Sequence, residues 1–258
     1  MILADSHTHL YLEQFNSDRD EMIRRAVDAG VLHMYLPNID RDSIDPMLDL
    51  AGKYPGHCHP MMGLHPTSVK ANYLQELETV SHWLDQGGFC AVGEIGIDLY
   101  WSKEFITQQE EAFRRQIRLA HQHDLPIVIH TRNSFPEVMK VVQEEMQPGL
   151  KGVFHCFSGN LKQALQITEW GFYLGIGGVL TFRKSGLEAV VKEIALEHLI
   201  LETDAPFLAP EPYRGKRNES AYIPLIAHKM AEIKGTSIEE IATVTTRNTL
   251  TLFKTITR

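Results

Sequence analysis

The sequence has few cysteines, no long hydrophobic run and no excess of positive charge, and each absence removes a class of protein. Its 258 residues include three cysteines, Cys58, Cys90 and Cys156, with no Cys-x-x-Cys spacing and no even set to pair. A reduced compartment is therefore expected. The chain does not open on a basic segment followed by a long apolar one, and no apolar run approaches about 18 residues. We expect a cytoplasmic protein that no membrane segment anchors.

Positive charge is scarce, because 25 Lys and Arg residues stand against 33 Asp and Glu residues and give a net charge of −8. This balance disfavours broad, non-specific adhesion to nucleic acid, which needs a large basic surface. It leaves a polyanionic substrate open, since bound divalent cations would reverse the local field.

Low-complexity tracts and a Pro- or Ser-rich linker are also missing, so residues 1–258 are expected to form a single domain. Short apolar, β-prone runs instead alternate with segments of helical spacing. The eight runs are Ile2–Ala4, Val31–Leu36, Cys58–Leu64, Phe89–Ile97, Pro126–Ile129, Val153–Phe157, Phe172–Ile176 and Leu199–Leu201. Helical spacing is clearest in Asn16–Ala29 and Glu104–His123, with two more helices expected at about Ala221–Lys234 and Ser237–Phe253.

Eight strand-then-helix repeats in one domain predict the α/β class and a (β/α)8 barrel of the TIM type with additional C-terminal helices. The alternative is a doubly wound open sheet with added strands, because periodicity alone does not close a barrel. Ser237 and Glu240 have the spacing of a capping box at the start of the last helix.

Histidines and carboxylates fall where the predicted strands end. His7 and His9 follow the first strand, and residues two apart in extended chain point to the same side. Glu94 lies in the fourth strand and Asp204 follows the eighth. Five histidines share such positions: His7, His9, His65, His130 and His155. Because the active site of a barrel lies at the carboxyl ends of its strands, these side chains are predicted to converge.

The predicted cluster has the composition of a site for two divalent cations. Imidazole and carboxylate ligands suit Zn, Mn, Fe, Co or Ni, and two ions about 3.5–4 Å apart can activate a water and stabilise both oxygens of a displacement. Glu94 is the expected bridging ligand, and the neighbouring Gly93 and Gly96 let the backbone approach closely. Asp204 can also accept a proton from the attacking water.

The ions are expected to divide the remaining ligands between them. One ion would take His7, His9 and Asp204, and the other His130 and His155. Four histidines disfavour Mg, which prefers oxygen ligands.

These motifs resemble those of the TatD-related metal-dependent hydrolases of the amidohydrolase superfamily. The similarity covers nearly the whole chain and six ordered motifs, which are residues 5–9 (DSHTH), 63–66 (GLHP), 93–98 (GEIGID), 155–159 (HCFSG), 202–206 (ETDAP) and 214–219 (RGKRNE). The resemblance implies a distorted TIM barrel, deoxyribonuclease activity that is often 3′-to-5′ exonucleolytic, and a site that also accepts Mg. It also implies six metal ligands, namely His7, His9, Glu94, His130, His155 and Asp204.

Two positions depart from the family pattern. Ser220 follows Glu219 where relatives usually have proline, and Asn133 follows Arg132 where many have an acidic residue. Both departures are expected to change the rim of the site and with it the substrate preference.

Several residues near the predicted strand ends are candidates for substrate contact. His65 is expected to contact a phosphate or leaving group, although it can also cap the strand. Arg132 can clamp a phosphate or pair with a carboxylate. The basic run Arg214, Lys216 and Arg217 can follow a nucleic acid backbone or form a solvated loop.

Four further side chains have two possible roles each. Glu202 is expected to orient a ligand histidine, although it can also be a carboxylate with other partners. Asp98 can orient a histidine in the same way or cap the loop beyond the fourth strand. Tyr100 and Trp101 follow the fourth strand, where they can stack on a base or pack under a loop.

The sequence is compatible with three functions. The first is a metal-dependent phosphodiesterase acting on DNA ends. The second is an ester or amide hydrolase, for example an aminoacyl-tRNA deacylase. Many binuclear relatives of that kind bridge their metals with a carboxylated lysine, and here the fourth strand has Glu94 and no lysine. The third is a non-catalytic binding protein, which the complete ligand set disfavours. No obligate protein partner is evident, and a monomer is expected.

Overall fold

Eight parallel strands and nine α-helices alternate in the computed structural model, which describes residues 1–253. The strands are β1 (Leu3–Asp5), β2 (Val31–Leu36), β3 (Cys58–Pro60), β4 (Val92–Asp98), β5 (Ile127–Arg132), β6 (Gly152–Phe154), β7 (Tyr173–Ile176) and β8 (Leu199–Leu201). The helices are α1 (Arg19–Asp28), α2 (Arg41–Lys53), α3 (Tyr73–Gln86), α4 (Ile106–Gln122), α5 (Phe135–Glu144), α6 (Leu161–Glu169), α7 (Leu187–Glu193), α8 (Ile223–Lys234) and α9 (Ile238–Leu252). Short 3-10 helices cover Glu13–Phe15, Pro66–Ser68, Gly178–Thr181, Leu196–His198 and Ser220–Tyr222.

The strands form two sheets whose edges are joined by backbone hydrogen bonds. One sheet has the order β1-β2-β3 and the other β4-β5-β6-β7-β8. Between β3 and β4, the Met62 N–H donates to Ala91 O at 3.2 Å and Met62 O accepts from the Gly93 N–H at 3.0 Å. Between β8 and β1, the Ser6 N–H donates to Leu201 O at 2.9 Å. The ring therefore closes as a barrel that is distorted at two seams, and the open-sheet alternative is wrong.

Two strands end earlier than the sequence predicts. β3 ends at Pro60, beyond which an isolated bridge from Met62 to Val92 continues the pairing. β6 ends at Phe154, because Cys156 has a φ of 46° and so leaves the extended conformation. Both changes lie next to the carboxyl ends of the strands, where the backbone turns to present side chains.

The inside of the barrel is filled by a cluster of small and medium side chains that includes Ala4, Val128 and Val153. The end of α9 adds to it, since the Phe253 ring packs on Tyr35 with centroids 4.6 Å apart. A larger apolar layer separates the strands from the surrounding helices.

Helix α9 crosses the amino ends of the strands. The Thr246 hydroxyl donates to Ile2 O, just before β1, and the Asn248 amide donates to Leu199 O in β8. At the start of this helix, Ser237 Oγ accepts the Glu240 N–H at 3.1 Å, which is half of the predicted capping box. Because α9 covers this end, the carboxyl end is left for the site. Within residues 1–253, no helix combines the length and apolar character that a bilayer crossing requires.

Candidate metal centre

Glu94 lies at the middle of the site, in β4, with 2% of its surface exposed. Glycines on either side allow this strand to lie close to β5. A Cβ at Gly93 would lie 2.6 Å from the Val128 Cβ, and a Cβ at Gly96, which has a φ of 142°, would lie 2.1 Å from His130 O. Only glycine fits such spacing, so the two residues bring Glu94 to the ends of the neighbouring strands.

The two oxygens of Glu94 face different sets of histidines. Oε2 lies 3.1 Å from His7 Nε2 and 3.5 Å from His9 Nε2. Oε1 lies 2.6 Å from His130 Nδ1 and 2.8 Å from His155 Nε2. This division matches what a carboxylate needs in order to bridge two cations.

Asp204 completes the His7 and His9 side of the cluster. Its Oδ1 lies 3.8 Å from His7 Nε2 and 3.6 Å from His9 Nε2. The backbone turns sharply at this residue, with a φ of 57°, and its N–H donates to His7 O at 2.9 Å. Burial raises the pKa of Asp204 to about 6.

The hydrogen bonds of Tyr11 determine the tautomer of His9. The Tyr11 hydroxyl donates to Pro37 O at 2.6 Å, so it can only accept from His9 Nδ1, which lies 2.9 Å away. Nδ1 therefore carries the hydrogen, and Nε2 presents a lone pair to the centre. Tyr11 is not among the residues predicted from the sequence, although its position two residues after His9 in the same segment was a usable signal.

Carboxylates lie behind two other histidines. Asp98 Oδ2 lies 2.9 Å from His130 Nε2, so that His130 Nδ1 faces Glu94. Glu202 Oε1 lies 3.4 Å from His155 Nδ1, on the side of the ring away from Glu94. Such carboxylate–histidine pairs fix the ring orientation and raise the basicity of the nitrogen offered to a metal.

His65 contacts the same cluster with a different tautomer. Its Nδ1 accepts the Thr67 N–H at 3.1 Å, which leaves the hydrogen on Nε2. Nε2 lies 3.4 Å from Glu94 Oε1. Burial lowers the pKa of His65, so the ring is neutral and its Nε2–H can donate to an oxygen at the centre.

The protonation of the cluster favours the binding of cations. Burial alone would lower the pKa of His155, but the carboxylates of Glu94 and Glu202 raise it well above its usual value. Burial likewise opposes ionisation of Glu94, and His155 with the other histidines nevertheless holds its pKa well below the usual range. Without a metal, the site thus stabilises a positive charge on His155 that a cation would replace.

The donor set also fits metal geometrically. Two triplets have ligand atoms within 4.8 Å of one another: His7, His9 and Glu94; and His7, His155 and Asp204. His65, Glu94 and His130 are as close together, but His65 Nε2 carries a hydrogen and so acts as a donor. Nitrogen and oxygen donors together suit transition-metal cations.

A buried polar network beneath the centre was not recognised in the sequence. Asp5 is fully buried and accepts hydrogen bonds from the Thr203 N–H at 2.9 Å and the Ser220 hydroxyl at 2.6 Å. Burial raises the pKa of Asp5 to about 7, although those hydrogen bonds oppose the change. Asp5 precedes His7 by two residues and Thr203 directly precedes Asp204, so the network joins the two segments that carry ligands.

Arg132 is the last residue of β5, and the other basic residues predicted to contact substrate lie in the loop after β8. The Arg132 guanidinium carbon is 3.8 Å from the Tyr100 ring centroid, and that of Arg214 is 4.3 Å from the centroid of Phe182. Lys216 Nζ is 5.9 Å from the Tyr213 ring centroid. Arg217 is already paired with Asp18 through bonds of 2.6 and 2.7 Å, so its contact with substrate stays a prediction.

Cys156 follows His155 at a point where the chain leaves the extended conformation of β6. Its φ is 46°, and its N–H donates to Glu202 Oε1 at 2.6 Å. The peptide next to His155 therefore helps to hold the carboxylate behind that histidine.

Comparison with known proteins assigns the family. The sequence model of the TatD related DNase family matches residues 4–254. The chain belongs to this family. It is 36% identical over 254 residues to the uncharacterized metal-dependent hydrolase YabD of Bacillus subtilis, covering 98% of this chain and 99% of that one. It is a metal-dependent hydrolase of the TatD family.

Two further TatD-family proteins are similar over the full length. The 3′-5′ ssDNA/RNA exonuclease TatD of Salmonella typhimurium is 31% identical over 262 residues, with 98% of this chain and 100% of the relative covered. The crystal structure of the TatD homologue YjjV from Escherichia coli K12 superposes with a TM-score of 0.92 at 30% identity, covering 97% of each chain.

Proposed function

We propose that this TatD-family hydrolase cleaves phosphodiester bonds of DNA with two divalent cations, removing nucleotides from the 3′ end. The observation that carries the proposal is that the two oxygens of Glu94 face different histidines. Oε2 faces His7, and Oε1 faces His130 and His155. If only one cation were bound, the histidines that face the other oxygen of Glu94 would have no metal to bind.

The six proposed ligands have separate tasks. Glu94 would contribute to both cation sites, His7, His9 and Asp204 would hold one cation, and His130 and His155 would hold the other. When bound, the two cations would activate a water and neutralise the charge of the phosphate. Zn, Mn, Mg and Co are the ions to be compared, and the mixture of nitrogen and oxygen donors favours Zn, Mn or Co over Mg.

Asp204 is the proposed proton acceptor of the reaction. Burial raises its pKa to about 6, which brings it close to neutral pH while the group stays ionised there. A base with a pKa near the working pH combines the right protonation state with useful basicity. Asp204 is also 15% exposed at its side chain, so it can reach the open end of the barrel.

His65 and the basic loops are proposed to hold the phosphate. The neutral His65 carries its hydrogen on Nε2, the atom nearest Glu94, so it can donate to a phosphate or leaving-group oxygen. Arg132 ends β5, and Arg214 and Lys216 lie in the loop after β8, so all three are at the carboxyl end of the barrel. In a chain with a net charge of −8, basic residues at this opening favour an anionic substrate.

The test is a screen of Mg, Mn, Co and Zn against DNA, a simple phosphodiester, an ester and an amide. Single-stranded DNA labelled at the 5′ end should give a ladder of shortening products. The same strand labelled at the 3′ end should release its label as a mononucleotide from the start. Asp204→Asn should abolish both reactions. Rapid ester or amide hydrolysis without nuclease activity would instead select a function such as aminoacyl-tRNA deacylation.

A further inference from the structure

Two exposed aromatic side chains lie just beyond the end of β4. Trp101 is 70% exposed and Tyr100 is 52% exposed. Among residues 1–253, no other large hydrophobic side chain is as exposed as Trp101. Both residues follow Asp98, the last residue of β4, so they lie at the same end of the barrel as the metal centre.

These rings are ordered by contacts with each other and with Arg132. The Tyr100 and Trp101 rings are 4.9 Å apart at an angle of 86°. The Arg132 guanidinium carbon lies 3.8 Å from the Tyr100 centroid and 5.4 Å from the Trp101 centroid. Tyr100 therefore supports the arginine, while most of the Trp101 surface is left to solvent.

One carboxylate connects this pair of rings to the metal centre. Asp98 Oδ1 accepts the N–H of Tyr100 at 2.9 Å and that of Trp101 at 3.4 Å. Its other oxygen, Oδ2, lies 2.9 Å from His130 Nε2. The backbone of the aromatic pair is thus fixed relative to a proposed metal ligand.

Arg132 is fixed to the same centre along β5. It follows His130 by two residues and pairs with Asp98 in the β4–β5 ladder. The Leu99 N–H donates to Arg132 O at 2.9 Å, which continues this pairing past the end of β4. The Arg132 guanidinium and the flat face of Trp101 therefore lie together at a fixed distance from the metal centre, where the reacting phosphate would bind.

We propose that Trp101 stacks on an unpaired nucleobase of the substrate strand while Arg132, supported by Tyr100, binds a neighbouring phosphate. This inference rests on the proposed nuclease function and adds the residues that select the substrate. Every nucleobase has a flat face that stacks on an aromatic ring, and arginine binds phosphate oxygens through paired N–H groups. A base inside a duplex is covered by its neighbours, so the site takes a single-stranded end.

The experiment measures cleavage kinetics on single strands that contain or lack the base at each of the last four positions from the 3′ end. For the unmodified enzyme, removing the stacked base should raise KM about tenfold and change kcat less than twofold. Trp101→Ala should show the same rise on the intact strand and no further rise on the abasic one. Trp101→Phe should recover most of the loss.

The matched control is Leu165→Ala, since Leu165 on α6 is 48% exposed and outside the site. It should leave both kinetic constants unchanged. Equal KM values for intact and abasic strands, or an unchanged KM in Trp101→Ala, would overturn the stacking site while leaving the nuclease function standing.

A second measurement keeps the two proposals separable. Binding of an oligothymidylate to the whole chain in chelator should quench tryptophan fluorescence, and Trp101→Phe should remove the quenching while Trp83 and Trp170 remain. If the enzyme cleaves no phosphodiester but this quenching occurs, the nuclease function fails and the stacking site stands. If neither cleavage nor quenching occurs, both fail.

Discussion

The Ser220 hydroxyl donates a 2.6 Å hydrogen bond to Oδ2 of Asp5, although the two residues are 215 positions apart. Asp5 lies beneath the first ligand pair, and Ser220 begins the turn that leads into α8. Ser220 is one of the two departures from the family pattern, and because it is fully buried beneath the centre, the expectation that it lies at the rim is wrong. A proline at that position would have no hydroxyl to donate.

The first prediction concerns Asp5 and pH. Because burial raises its pKa from about 3.8 to about 7, the folded state prefers the protonated acid. Its contribution to stability is fully present below about pH 4 and is lost as pH rises towards 7. In chelator, the unmodified chain should therefore lose about 3 kcal/mol of its free energy of unfolding between pH 5 and pH 8 that Asp5→Asn does not lose. Urea unfolding at both pH values measures this, and parallel pH profiles for the two proteins would contradict it.

The second prediction concerns Glu94. At a metal concentration 100 times the dissociation constant, metal should raise the free energy of unfolding of the unmodified chain by about 2.7 kcal/mol, which corresponds to about 5–10 °C in Tm. Glu94→Gln and Glu94→Ala should lose this gain and all metal-dependent hydrolysis while remaining folded. Glu145→Gln is the control, because Glu145 pairs with Arg118 at a distance from the centre and should keep both properties. Retained hydrolysis in Glu94→Ala would sink the two-metal site.

The third prediction concerns protons released when metal binds. Glu94 and Glu202 raise the pKa of His155 well above its usual value against the effect of burial, so His155 carries a proton at neutral pH. A metal needs the unprotonated nitrogen, so binding at pH 7 should release at least one proton per chain. Calorimetric titration in two buffers of different ionisation enthalpy measures the number. An identical heat in both buffers would show that His155 is already neutral.

The fourth prediction concerns Tyr11. Its hydroxyl holds the hydrogen of His9 on Nδ1, so Tyr11→Phe should free the ring to adopt the other tautomer. Metal affinity should fall about tenfold, the lower end of the effect for such supporting groups. Tyr54→Phe removes a hydroxyl that bonds to the exposed Asp20 and should leave metal affinity unchanged. Equal affinities in the two variants would assign no orienting role to Tyr11.

The fifth prediction separates the basic residues that follow β8. Arg214→Ala should lower kcat/KM on DNA and make it less sensitive to salt, as expected for a lost phosphate contact. Arg217→Ala removes the pair with Asp18 and the contact with the Phe15 ring, so it should lower the free energy of unfolding by about 1 kcal/mol. A loss of DNA cleavage without destabilisation in Arg217→Ala would instead support a direct contact with substrate.

Much of the fold could be predicted from the sequence because apolar runs mark buried parallel strands. The bounds of β2 and β8 agree with the runs at Val31–Leu36 and Leu199–Leu201. The seams could not be predicted, since the bond from the Ser6 N–H to Leu201 O joins residues that are remote in the chain. Cys156 illustrates a second difficulty, because a left-handed residue within an apolar run ends a strand without changing the pattern.

The candidate site, like the fold, could be predicted only in part. Glu94 was predictable as the shared carboxylate, because it lies between glycines in a strand among histidine-bearing strand ends. The supports of the histidines were harder to find. Asp98 had two possible roles in the sequence, and only the structure shows that its Oδ2 lies next to His130 Nε2. Tyr11 has its role only because Pro37 O accepts its hydrogen. Such roles depend on three-dimensional partners that spacing along the chain does not reveal.

The position of α9 has a consequence for how the chain is made. Ribosomes synthesise β1 first, yet β8, which pairs with it across the seam, follows most of the chain, and the Phe253 ring that covers Tyr35 comes later still. Contacts between such distant parts of a chain form slowly and late. A nascent chain that stalls before α9 would expose both a strand edge and the apolar lining of an unfinished barrel, which are the surfaces through which incomplete chains aggregate.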